Sequence, residues 1–188
     1  MIQMPPEFFP CPNLLLVAGS GRKSGKTTFA CAVIKYFSSQ LPLVGLKISP
    51  HFHPGKNNGD VIIDHKSFRI IRETSLNSYK DSSLMLVSGA SQSYYIETND
   101  QYLFTAFKKF LELIKPGSPI VCESPALRKY IKPGIFIFMH SRNFANSKTE
   151  IRKIILLADK VIDLNEGLVP ACIAAIKFEK SKWSLIAD

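Results

Sequence analysis

Residues 18–28 read AGSGRKSGKTT and follow the apolar run NLLLV at 13–17. The stretch nearly matches G-x-x-x-x-G-K-[ST], the pattern of a loop that wraps a phosphate, except that Ser20 stands where the first glycine belongs. Such a loop needs backbone N–H groups turned inward around the anion, a lysine that reaches the terminal phosphates and a hydroxyl for Mg2+. Gly25 permits the close approach, Lys26 carries the charge and Thr27 the hydroxyl. The first glycine normally serves a chain that leaves its strand with little room for a Cβ. Gly19 and Gly21 flank Ser20, so the freedom the turn needs is still available on either side. The residues expected around the phosphates are Gly21, Arg22, Lys23, Ser24, Gly25, Lys26, Thr27 and Thr28, with Lys26 also acting on the reacting phosphate.

The surroundings of the loop support this reading. Asn13–Ala18 reads as a buried strand, and beyond Gly25 the residues Phe29, Ala32, Val33, Tyr36 and Phe37 fall on one helical face. A G-K-T triplet between a buried strand and an amphipathic helix is far more specific than the triplet alone. Pro42–Ile48 is a second apolar strand, ended by Ser49-Pro50. Strand signals at Gln92–Glu97, Pro119–Cys122, Ile135–Met139 and Lys160–Leu164 then alternate with helical ones. The helical signals are Asp100–Ile114, with Leu103, Phe107, Phe110, Leu111 and Ile114 on one face, and a segment carrying Ile151, Ile154, Ile155 and Ala158. Strands separated by helices predict a mainly parallel sheet covered on both faces. The expectation is an α/β protein, a three-layer P-loop NTPase fold in one domain over residues 1–188, with residues 49–80 forming a polar inserted loop or hairpin after the second strand. Inserted segments of this kind often carry function.

Composition narrows the classes. The chain has 188 residues, 46% of them hydrophobic, enough for a substantial core. Its longest apolar runs, Ile135–Met139 and Ile154–Ala158, fall far short of the roughly 20 residues of a membrane-spanning helix. The start, MIQMPPEFFPCPN, lacks the basic beginning and apolar middle of a secretory signal, which predicts a cytoplasmic protein. Cys11, Cys31, Cys122 and Cys172 are scattered and suit reduced packing thiols better than disulfides or a zinc site. The net charge of +9 invites nucleic acid, but its lysines and arginines are dispersed over different predicted elements without an aromatic-rich motif. Charge therefore speaks to solubility and nonspecific attraction, and nucleic acid is not expected as the main ligand.

Three stretches together, LLLVAGSGRKSGKTTFACAVIKYF, PLVGLKISPHFH and YKDSSLMLVSGASQSYYI, resemble the molybdopterin-guanine dinucleotide biosynthesis adaptor family, MobB, whose members are P-loop GTP-binding proteins. The resemblance matches Lys47, His51 and His53 to that family's strand ending in lysine and its histidine loop. It matches Lys80-Asp81-Ser82 with Gly89-Ala90 to its K-D-S segment, and Glu123 to a later strand that ends in Glu-Gly. Here Ser124 replaces the glycine, and residues 140–188 carry no family motif. The resemblance implies a P-loop protein that binds a nucleotide with Mg2+ and serves a partner enzyme, with Lys47, His51, His53, Lys80, Asp81 and Ser82 as contacts for substrate or phosphate. Related ATPases that dimerise across the nucleotide have a second lysine where this chain has Gly21. That argues against their dimer-driven mechanism, although a homodimer stays among the partners to be tested.

His51 and His53 point the same way if their segment is extended, which suits a pair of metal or phosphate ligands, yet no third ligand stands out beyond Asp60 and Asp64. Glu123 ends a predicted strand at the sheet edge where ligands bind in open α/β folds, and a carboxylate there can hold Mg2+ with Thr27 or orient an attacking water. The competing reading pairs Glu123 with Arg128 or Lys129. Asp81-Ser82 is equally a helix start. The expected function is Mg2+-dependent binding and slow hydrolysis of a nucleoside triphosphate, as an accessory to a partner enzyme. The alternative is a small-molecule kinase. No N-K-x-D sequence selects guanine, so GTP and ATP both stay open.

Overall fold

The computed structural model describes residues 8–21, 23–52, 59–140, 149–163 and 169–186. Arg22, His53 and Leu164, on which expectations rested, lie outside the described residues.

The first strand, β1 (Phe9–Gly19), is apolar nearly without interruption because both of its faces are covered. Leu14, Leu16 and Ala18 point to one layer, whose helices are α3 (Leu103–Leu111) and α4 (Thr149–Ile155). Leu15 and Val17 point to the other, with α1 (Lys26–Phe37), Met85 of α2 (Asp81–Val87) and α5 (Val169–Ala174). The remaining strands of the sheet are β2 (Val44–Ser49), β3 (Asp60–His65), β4 (Phe68–Arg72), β5 (Gln92–Thr98), β6 (Ile120–Glu123), β7 (Ile131–His140) and β8 (Lys160–Asp163). Their spatial order is β3-β4-β5-β2-β6-β1-β7-β8. Every pairing from β5 to β8 is parallel, whereas β3 and β4 run antiparallel to their neighbours. The protein is thus α/β, with a mostly parallel mixed sheet between two helical layers.

The inserted segment after β2 is a hairpin. Its outer strand β3 is exposed at nearly every position, Val61 and Ile62 included, which explains its weak hydrophobic period. Other expectations shift. The buried face of α1 is Phe29, Ala30, Val33, Ile34 and Phe37, while Tyr36 is exposed. The helix is rotated from the expected stripe because it packs at once on the sheet, on α2 and on the C-terminal elements. The helix expected over Asp100–Ile114 begins as a 3-10 turn at Asp100–Tyr102, where the Asn99 side chain accepts a bond from the Tyr102 N–H, and α3 proper ends at Leu111. Pro116 follows, and a residue before proline is disfavoured in a helix.

The chain's end closes the second layer. A hairpin of β9 (Ile176–Glu179) and β10 (Lys182–Leu185) inserts Trp183, fully buried, edge-on to Phe37 at 5.3 Å and against Phe178 at 4.8 Å. Trp183→Ala removes the largest fully buried side chain, and such truncations cost about 3–5 kcal/mol. Urea unfolding should show a loss in that range, and a change under about 1 kcal/mol would mean that the hairpin is peripheral to the core.

Candidate functional site

Parallel strands deliver their carboxyl ends to one edge, and the loop at 19–25 sits there. β1 ends at Gly19, and the Ser20 N–H donates to the Met139 carbonyl at 3.1 Å, fastening the turn to β7. A Cβ on Gly19 would stand 2.5 Å from Ser24 Oγ and 2.7 Å from the Met139 carbonyl oxygen, so any side chain here must displace its neighbours. Gly21 faces open space. The steric demand that the motif assigns to the place of Ser20 is therefore borne by Gly19. Gly25, at φ +83°, provides the left-handed step into α1.

Lys26 lies across the mouth of this turn. Its ammonium donates to the Gly21 carbonyl and to Ser24 Oγ, and Ser24, itself buried, donates to the same carbonyl at 3.0 Å. Burial pulls Lys26 below the ordinary lysine range; Glu123 and Asp81 push back, and Lys47 adds to the lowering. Thr28 is exposed, and Lys23 has a positive φ of 60° at the tip of the loop.

Behind the loop four side chains from separate elements close a ring. The Thr27 hydroxyl lies 2.7 Å from Glu123 Oε2 and 3.1 Å from Asp81 Oδ1. The Lys47 ammonium lies 2.6 Å from Glu123 Oε1 and 2.7 Å from Asp81 Oδ2. Sheet register causes this: Glu123 stands level with Val17 of β1 on one side and Lys47 of β2 on the other. Asp81, the first residue of α2, is brought alongside from the second layer. It opens the helix, as the sequence reading expected, and turns its carboxylate to Thr27. Burial works to lower the Lys47 pKa, but Glu123 and Asp81 outweigh it and hold the ammonium above its ordinary range.

The pairing of Glu123 with Arg128 or Lys129 is not what the structure contains. Arg128 donates to the Ile131 carbonyl at 3.0 Å and packs its guanidinium on Phe8 and Phe136, and Lys129 lies 3.7 Å from Asp100.

The ring and the loop line one cavity of about 790 Å3 that continues past Ser49, His51, Tyr79, Lys80, Tyr95 and Glu97. Comparison with family models, curated proteins and solved structures found no match. The site is therefore characterised by its chemistry alone. His51 is exposed and reaches the cavity wall, and Lys80 does the same from the step before α2. Ser82 also borders the cavity, but its hydroxyl donates at 2.7 Å to the buried Glu73, so it braces α2. Among the described residues no group of three or more His, Cys, Asp or Glu side chains could hold a metal ion, and Asp64 is paired with Arg69. Tyr79, Tyr95 and Glu97 are wall residues that sequence reading missed. For Tyr95 and Glu97 the signal was available, since both lie near the carboxyl end of a parallel strand.

The two glycines that flank Ser20 should respond differently to substitution. Gly19→Ala forces Ser24 and the β7 backbone apart and should cost about 1–3 kcal/mol by chemical denaturation. Gly21→Ala meets nothing and should stay within about 0.5 kcal/mol of the parent. Equal stability of the two variants would contradict this packing of the loop.

Proposed function

We propose that this protein binds a Mg2+-nucleoside triphosphate, GTP or ATP, at the 19–28 loop and hydrolyses it slowly in the service of a partner enzyme. The observation that carries the reading is the meeting of the Thr27 hydroxyl with Glu123 at 2.7 Å and Asp81 at 3.1 Å, beside Lys26, at the mouth of a glycine-bordered strand-to-helix turn. A hydroxyl and two carboxylates form a hard oxygen donor set, the kind that suits Mg2+, which keeps several waters and shares its shell with phosphate. Thr27, Glu123 and Asp81 would hold the ion, directly or through water; once bound it would neutralise charge on the phosphates.

In this reading the N–H groups of Lys23 to Thr28 face the phosphates at the start of α1, where the helix dipole favours an anion. Lys26 exchanges its bonds to Gly21 and Ser24 for the terminal phosphates. Glu123, 1% exposed, is shielded enough to orient a water or the shell of the ion without being lost to solvent. The adaptor role is carried by the resemblance to the MobB family. A second reading, a small-molecule kinase, is favoured by the length of the cavity, whose wall at Ser49, His51, Tyr79 and Tyr95 leaves room for an acceptor beyond the phosphates.

Thermal unfolding with a panel of nucleotides, with and without Mg2+, tests the binding, because a ligand selective for the folded state raises its stability by mass action. The parent should be stabilised by a triphosphate with Mg2+. Lys26→Ala should keep the parent's unliganded melting temperature and lose that stabilisation; an equal shift in both proteins would sink the assignment.

Glu123→Gln keeps size and removes charge. Single-turnover hydrolysis should fall by roughly 10²-fold or more while nucleotide affinity changes much less. Unchanged turnover would remove Glu123 from the chemistry. Phosphate transfer to a metabolite, measured in the same preparation, would turn the choice to the kinase.

A further inference from the structure

Lys47 occupies an unusual place for a cation beside a proposed divalent metal site. Both carboxylates of the ring are divided in the same way, with one oxygen directed to Thr27 and the other to the Lys47 ammonium. Asp81 Oδ2 and Glu123 Oε1 are thus held by Lys47 at 2.7 and 2.6 Å, and each of the carboxylate oxygens has a partner within the ring. Glu123 is almost wholly enclosed and the Lys47 side chain is 18% exposed, so this contact is screened far less than a surface ion pair. A divalent cation cannot take both carboxylates while the ammonium stays between them.

The ammonium has somewhere to go. Lys47 lines the same cavity as Gly21, Lys23 and Lys26, so a short rotation of a flexible stem can carry its charge from the carboxylates toward an anion seated over the loop. A metal that displaced the ammonium without such an anion would leave this partly buried cation with no counter-charge beside the incoming dication, which is strongly unfavourable. We propose that Lys47 is the resident counter-ion of the Thr27–Asp81–Glu123 site and surrenders it only when a terminal phosphate arrives to receive the ammonium, so that metal and triphosphate enter together. This rests on the triphosphate-binding reading above. It makes Lys47 a positioning residue whose task is to keep the ring from collecting metal in the absence of nucleotide.

Mn2+ serves as the probe, its binding to the full chain followed by the electron paramagnetic resonance of the free ion. Without nucleotide, the parent and Lys47→Arg should bind Mn2+ weakly, whereas Lys47→Met, which keeps the stem and loses the charge, should bind at least about tenfold more tightly because the ion no longer competes with an internal cation. A non-hydrolysable triphosphate should raise the Mn2+ affinity of the parent by a larger factor than that of Lys47→Met. If repulsion between Asp81 and Glu123 weakens the folding of Lys47→Met, Mn2+ alone should raise its melting temperature while leaving that of the parent unmoved. Equal Mn2+ affinity of nucleotide-free parent and Lys47→Met overturns the proposal. So does nucleotide-free parent that binds Mn2+ within about threefold of its affinity with triphosphate present, which needs no variant. A parent that binds no nucleotide under any condition removes the triphosphate reading instead, and the nucleotide-free comparison still decides whether Lys47 holds the place of the metal.

Discussion

Strand β1 is buried on both faces and paired on both edges, and the site hangs from that constraint. A strand so enclosed has no freedom of register: a slip of one residue would exchange Leu14, Leu16 and Ala18 with Leu15 and Val17 between two cores of different shape. With β1 locked, β6 on one side sets Glu123 level with Val17, and β2 beyond it sets Lys47 level with Glu123. Charged groups from two strands thereby meet at the edge where β1 turns into α1. Thr27, in the first turn of that helix, completes the contact.

The insertion of β6 between β1 and β2 makes this meeting possible. The chain passes from β1 to β2 while leaving room for one strand, crosses to the far edge at β3, steps back inward through β4 and β5, then returns with β6 to fill the gap. Pairing on both edges buries Glu123, and burying a carboxylate is costly unless it is neutralised and hydrogen-bonded. Lys47 and Thr27 supply both needs. Asp81 shares the same two partners from the other layer, so the ring also ties the start of α2 to the sheet. The cluster is at once a structural clasp and the set of groups available to a ligand.

Legibility differed by element. The strand, loop and helix around 13–37 were readable because apolar continuity, glycine punctuation and helical period agree over a short span. The polar hairpin was readable only as an interruption, since β3 is an exposed edge strand that no core disciplines into alternation. The face of α1 was placed wrongly: Tyr36 fits the helical period but lies outside the zone that α2 and the C-terminal hairpin cover. The hairpin with Trp183 carried no motif, and its contribution, filling the space beside Phe37 and Phe178, exists only through contacts distant in sequence.

For the site, the sequence alone determined the turn chemistry: glycines, a lysine and a hydroxyl in fixed spacing next to a buried strand, because these are local requirements of backbone geometry and charge. It also placed Glu123 at a strand end, since a short apolar run closed by a carboxylate is a local signal. Tertiary structure decided which partners those residues meet. Glu123 lies near Arg128 and Lys129 in sequence yet pairs with Lys47, and Asp81 pairs with a threonine far earlier in the chain. Charge pairing depends on distance in space. That distance is set by strand order, a global outcome of how the apolar surfaces of all the elements are buried together.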